Sequence, residues 1–96
     1  MSSIYQLTLS RDSLKFLAKQ EKAIQERIRK ALTGLAIRPP IGDIKPLKGK
    51  EKLMRLRVGT YRVIFEVNHT EQIIYILTID NRGDVYSKIQ ASKSQS

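Results

Sequence analysis

The chain predicts an α+β domain, with two N-terminal helices packed on one face of a small, mainly antiparallel β-sheet in the order β-α-α-β-β-β. Three features carry that expectation. Two segments with helical apolar spacing fall within residues 10–38, a glycine-centred hairpin joins two alternating segments within residues 53–65, and an isoleucine-rich run at 73–77 supplies a further strand.

The first strand is expected over Ile4–Leu9, where β-formers alternate with polar residues. Ser10 then caps a short helix, with Asp12 in the first turn where its charge suits the helix dipole. Leu14, Leu17 and Ala18 form the apolar stripe of that helix. In the second helix Ile24, Ile28, Ala31, Leu32 and Leu35 recur at helical spacing, while Lys22, Gln25, Glu26, Arg29 and Lys30 face water. Arg38-Pro39-Pro40 ends it, because a residue before proline avoids the α region and proline cannot continue the hydrogen-bond ladder. Residues 41–49, rich in Gly, Pro and Lys, form a connection to the hairpin. After the turn Asn68-His69-Thr70, a strand is expected over Glu71–Ile79, its apolar run indicating cover on both faces. Asp80-Asn-Arg-Gly-Asp84 breaks the sheet, Val85-Tyr86 resumes ordered structure, and 87–96 is a polar tail expected to fray.

The hairpin Arg55-Leu-Arg-Val-Gly-Thr-Tyr-Arg-Val-Ile-Phe65 is the most informative stretch. Alternation along a strand sends Arg55 and Arg57 one way and Met54, Leu56 and Val58 the other. Gly59-Thr60 places glycine at the first central position of a two-residue loop, as a type II′ turn requires. Such a turn pairs Val58 with Tyr61, Arg57 with Arg62, Leu56 with Val63 and Met54 with Phe65. One face becomes an apolar wall, with Tyr61 and Tyr75 expected to face the core. The other sets two arginines opposite each other with Arg55 close by, an arrangement that costs stability unless an anion sits among them or the side chains splay into water. The planar guanidinium is well shaped to hold phosphate.

Composition narrows the function. At 96 residues, 41% hydrophobic and 28% charged, the chain suits one soluble domain spanning 1–96. Eighteen basic against nine acidic residues give a net charge of +9, a field that favours nucleic acid, anionic membrane or an acidic protein partner. The absence of cysteine removes disulfide and thiolate chemistry. The start lacks the pattern of a signal peptide and no apolar run reaches membrane-spanning length, so a cytoplasmic location without membrane attachment is expected. The only histidine, His69, lies in the expected turn, and the carboxylates lack metal-ligand spacing. Neither a metal nor another cofactor is expected, and there is no motif for a serine triad or a phosphate-binding loop.

Leu47-Lys-Gly49, the block Leu53-Met-Arg-Leu-Arg-Val-Gly-Thr-Tyr-Arg-Val-Ile-Phe65 and Asn81-Arg-Gly-Asp-Val-Tyr86 together resemble the RelE family within the RelE/ParE toxin superfamily. The likeness covers nearly the whole chain, and the Arg-x-Asp-Val-Tyr ending points toward RelE rather than ParE. It implies a toxin that enters the ribosomal A site, cuts messenger RNA and is held inactive by a cognate, RelB-like antitoxin. It also implies a toxin–antitoxin complex that binds operator DNA through the antitoxin. By the same resemblance Arg55 and Arg57 grip the RNA backbone and stabilise the reacting phosphate, Arg62 binds the scissile phosphate, Arg82 stands near the leaving oxygen, and Tyr86 is a general base or stacking platform. This chain has Asn81 where several relatives carry histidine, and arginine at 55 and 57 where lysine also occurs.

The chemistry of metal-free RNA cleavage fits these residue types. It requires removal of the 2′-hydroxyl proton, stabilisation of charge on the phosphorane and protonation of the leaving oxygen. Arginines meet the second need by preorganised electrostatics, and cations around Tyr86 favour the phenolate that a base requires. A tyrosine at that position can equally pack its ring and hydrogen-bond its hydroxyl. Lys45, Lys48, Lys50 and Lys52, in or beside the connection, suit sequence-independent contact with phosphates of messenger or ribosomal RNA, or solubility alone. Two other functions stay open on the sequence: a ParE-like inhibitor of gyrase, and an inactive relative that acts with its antitoxin as a repressor.

Overall fold

The computed structural model describes residues 4–49 and 52–81. Its elements are β1 (Gln6–Leu9), α1 (Arg11–Ala18), α2 (Lys22–Ala36), β2 (Asp43–Pro46), β3 (Leu53–Val58), β4 (Tyr61–Asn68) and β5 (Ile73–Asp80). The strands form one sheet in the order β1-β5-β4-β3-β2, antiparallel throughout except for the parallel β1·β5 pair. No helix among the described residues is long and apolar enough to cross a membrane.

The helices cover one face of this sheet. Ile28, Leu32 and Leu35 of α2, with Phe16 and Leu17 of α1, pack against Leu56, Val58, Tyr61, Val63, Phe65, Ile74, Ile76 and Ile79. The apolar spacing of α2 therefore faces inward as expected, and the helix ends at Ala36 ahead of the prolines. The hairpin adopts the expected register, with Val58 opposite Tyr61, Arg57 opposite Arg62, Leu56 opposite Val63 and Met54 opposite Phe65. Gly59 has φ +61° while Thr60 keeps a negative φ, which selects the type II′ turn over type I′.

Several expectations are corrected: β1 begins at Gln6 rather than Ile4, and Asp80 is the last residue of β5 rather than a break in the sheet. Residues 41–49 are not merely a connection: Asp43–Pro46 is an edge strand on β3, with Ile44 packed on the core and Asp43 and Lys45 on the opposite face. Proline is tolerated there because an edge strand has one unpaired side. Gly42 admits the chain to this edge at φ +141°, where a Cβ would lie 2.7 Å from Leu56 Cδ1. In α1 the inward residues are Ser13, Phe16 and Leu17, whereas Leu14 is 55% exposed and Ala18 is exposed too. Hydrogen bonding sets that phase: Ser13 Oγ donates to the Ile76 carbonyl at 3.2 Å, and the capping Ser10 hydroxyl donates to the Leu77 carbonyl at 2.8 Å. Leu77 has no partner in the β4·β5 register, which shifts between Ile64 and Phe65. Tyr75 alternates with core-facing Ile74 and Ile76 and so lies half-buried on the other face, opposite Glu66. Finally, β5 begins at Ile73 rather than Glu71 because Gln72 takes φ +59°, outside strand geometry.

Candidate functional site

The face of the sheet away from the helices carries a row of charges made by register alone. Asp43 of β2 lies opposite Arg57 of β3, Arg57 opposite Arg62 of β4, and Arg62 opposite Asp80 of β5. Directly opposed residues share a face, so four strands present carboxylate, guanidinium, guanidinium, carboxylate in sequence. A second row runs Lys45, Arg55, Ile64 and Thr78. Ile64 is fully buried and packs with Leu47 and Leu53, which gives this face a small apolar anchor beside the charges.

The three hairpin arginines are not equivalent. Arg55 is only 7% exposed, and its Nη2 donates to Asp43 Oδ1 at 3.1 Å. Arg57 is half-exposed, and its Nε stands 3.9 Å from Asp43 Oδ2, beyond hydrogen-bond distance. Arg62 is half-buried, with a buried Nε that lacks a hydrogen-bond partner. The expectation of three cations awaiting an external anion is therefore corrected in part. Asp43 already supplies a carboxylate to Arg55, so Arg57 and Arg62 are the pair best placed to receive a phosphate. Asp80 flanks them from β5, is 4% exposed and has interactions of its own.

The lysines divide as well. Lys45 is exposed in β2 opposite Arg55, hence on the arginine face. Lys48 is exposed in the turn after β2. Lys52 instead lines a cleft of about 540 Å³ on the helix side, with Leu35, Arg38, Met54, Phe65 and His69. Lys50, Arg82 and Tyr86 lie outside the described residues, as does the polar segment 87–96.

His69 is separated from the arginines. Its Nδ1 is 2.8 Å from the Tyr5 hydroxyl, whose ring carries the Arg38 guanidinium 3.9 Å above its centroid. At roughly 3.3 Å per strand residue, the seven positions from Arg62 to His69 put about 23 Å between them. Among the described residues there is no group of three or more His, Cys, Asp or Glu that would hold a metal ion. The chemical capacity of the described face is thus electrostatic: it can bind and polarise a phosphate diester, and it contains no histidine or serine placed to act as base or nucleophile.

Sequence reasoning missed Asp43 and Asp80. Asp43 was hidden because its stretch reads as a loop, although Asp-Ile-Lys alternates with one apolar residue in the middle. The pairing of Asp80 with Arg62 depends on the register shift in β4·β5.

Comparison with known proteins finds relatives of this chain and fold. The family model of the ParE toxin of the type II toxin–antitoxin system, parDE, matches residues 7–86. A chain of the archaeal RelE–RelB complex from Pyrococcus horikoshii OT3 is 30% identical with TM-score 0.72, the match covering 83% of this chain and 97% of that one. A chain of the toxin–antitoxin complex RelBE2 from Mycobacterium tuberculosis is 25% identical with TM-score 0.70, covering 82% and 99%. The isolated RelE toxin of E. coli shares the fold at 21% identity and TM-score 0.67, over 92% and 97% of the two chains. No curated protein sequence matches.

Proposed function

This chain belongs to the ParE toxin family of type II toxin–antitoxin systems, within the RelE/ParE superfamily, and on that premise we propose that it is a ribosome-dependent, metal-independent messenger RNA endonuclease. The observation that carries the proposal is the adjacency of Arg57 and Arg62 on the open sheet face. A phosphate diester seated between them gains charge-assisted hydrogen bonds from planar donors, and these strengthen as the phosphorane gathers negative charge. Such a term contributes a few kcal/mol per donor.

The remaining steps fall to other residues. Attack by the 2′-oxygen on phosphorus forms the phosphorane and expels the 5′-oxygen. Tyr86 is assigned to take the 2′-hydroxyl proton. Arg82, two positions beyond Asp80 in the sequence, is assigned to offset the charge on the departing oxygen, which takes its proton from water because a guanidinium holds its own too tightly to act as the acid. Arg55 supports the cation pair from its fixed position beside Asp43. Lys45 and Lys48 contact neighbouring phosphates without reading sequence. The ribosome contributes by holding the message in reactive geometry, which offsets the lack of a strong base on the protein.

The partner is a RelB-like antitoxin, and the RelE–RelB complexes among the similar structures support this. Toxin and antitoxin together would contact operator DNA through the antitoxin, and the toxin acts in the cytoplasm on ribosome-bound message. A second reading, inhibition of gyrase, is favoured by the ParE description of the matching family model. Primer extension on a translated message after induction separates the two. Cuts in the A-site codon are expected, whereas intact message with gyrase-linked DNA breaks would establish the second reading.

A further inference from the structure

We propose that Asp43 is a positioning and specificity residue of the phosphate-binding face, an inference that rests on the RNA-cleaving reading above. Its two oxygens do different work. Oδ1 accepts from Arg55 Nη2 at 3.1 Å, and that arginine side chain is only 9% exposed while Asp43 is 47% exposed, so a buried guanidinium is oriented by a carboxylate that still reaches solvent. Oδ2 lies 3.9 Å from Arg57 Nε, close enough to attract yet too far to bond, and Arg57 keeps its donors for a ligand.

The position of Asp43 matters as much as its bond. In the row Asp43, Arg57, Arg62, Asp80 the cations are inside and the carboxylates outside. Such a row attracts one negative charge over its centre, and the half-exposed Asp43 repels a second placed beyond the β2 end. Along a polynucleotide it therefore accepts a single phosphate and disfavours sliding by one nucleotide. Without the charge of Asp43, Lys45, Arg55, Arg57 and Arg62 would form a continuous basic strip. That strip would hold RNA more tightly, but in several registers, and the hydrogen bond that orients Arg55 would lose its charge assistance.

Neutralising Asp43 is thus expected to raise affinity and lower turnover together, which simple loss of structure would not do. The probe is a labelled single-stranded RNA oligonucleotide carrying 2′-O-methyl groups, used beside cleavage of message on programmed ribosomes. For Asp43→Asn, binding to the oligonucleotide should tighten roughly threefold with a steeper salt dependence. Its kcat should fall about tenfold while KM drops. Asp43→Glu restores the charge and should return affinity and salt dependence to parental values. Weaker or unchanged oligonucleotide binding by Asp43→Asn overturns the proposal, as does a parallel loss of affinity, kcat and melting temperature. A parent protein that does not cut message refutes the RNA-cleaving reading, and the oligonucleotide measurement still judges Asp43 by itself.

Discussion

The two faces of one sheet obey different rules. On the helix-covered face Leu56, Val63, Phe65, Ile74 and Ile76 are buried in a continuous aliphatic and aromatic contact with α1 and α2. On the open face the same strands carry Asp43, Arg57, Arg62 and Asp80 in register. The covered face is stabilised by area removed from water, a term that is insensitive to which partner provides the area. The open face presents an order of charges, and on the proposed function a change of sign at its exposed or half-exposed members, Asp43, Arg57 and Arg62, is expected to alter anion binding more than packing. Stability and activity are accordingly separable by face.

The largest effect expected of a single substitution is on the covered face. Leu56 is 1% exposed, and Leu56→Ala should cost about 2–5 kcal/mol through lost transfer free energy and the cavity left behind. Denaturant unfolding measures it; a loss below 1 kcal/mol would mean that this face is loosely packed. Tyr86→Phe should lower single-turnover cleavage by roughly a hundredfold with little change in ribosome binding, since it removes the titrating hydroxyl and keeps the ring. Near-parental cleavage by the variant would leave Tyr86 a packing or stacking residue. A smaller effect is expected where the two faces meet at the sheet edge. Gly42→Ala places a Cβ 2.7 Å from Leu56 Cδ1 at φ +141°, and should cost about 1–3 kcal/mol. A thermal melt matching the parent would show that β2 can leave the edge without consequence.

What the sequence disclosed follows the same division. The hairpin was legible to the residue because Gly59 fixes the turn and the apolar alternation fixes the face, so the Arg57–Arg62 pairing followed. The period of α2 was legible for the same reason, since a long apolar stripe has only one buried orientation. In α1 the buried residue is Ser13, selected by a hydrogen bond to the Ile76 carbonyl rather than by hydrophobicity, and a rule based on apolar spacing chose Leu14 instead. Tyr75 was misplaced because the run Ile73–Leu77 is apolar on both faces and offers no alternation. The arginines announced an anion site, but the carboxylate that fixes Arg55 was invisible. Asp43 acquires its role only when a proline-containing edge strand pairs with β3, and composition alone reads that stretch as a loop.

The claim that the open face does the chemistry while the covered face maintains the fold is tested most directly at Arg62. Arg62→Ala should lose at least about a hundredfold in cleavage of ribosome-bound message, roughly 2.7 kcal/mol or more of transition-state stabilisation, with a thermal melt close to the parent's. Cleavage at the parental rate by a folded Arg62→Ala protein would contradict the assignment of the arginine pair as the phosphate site.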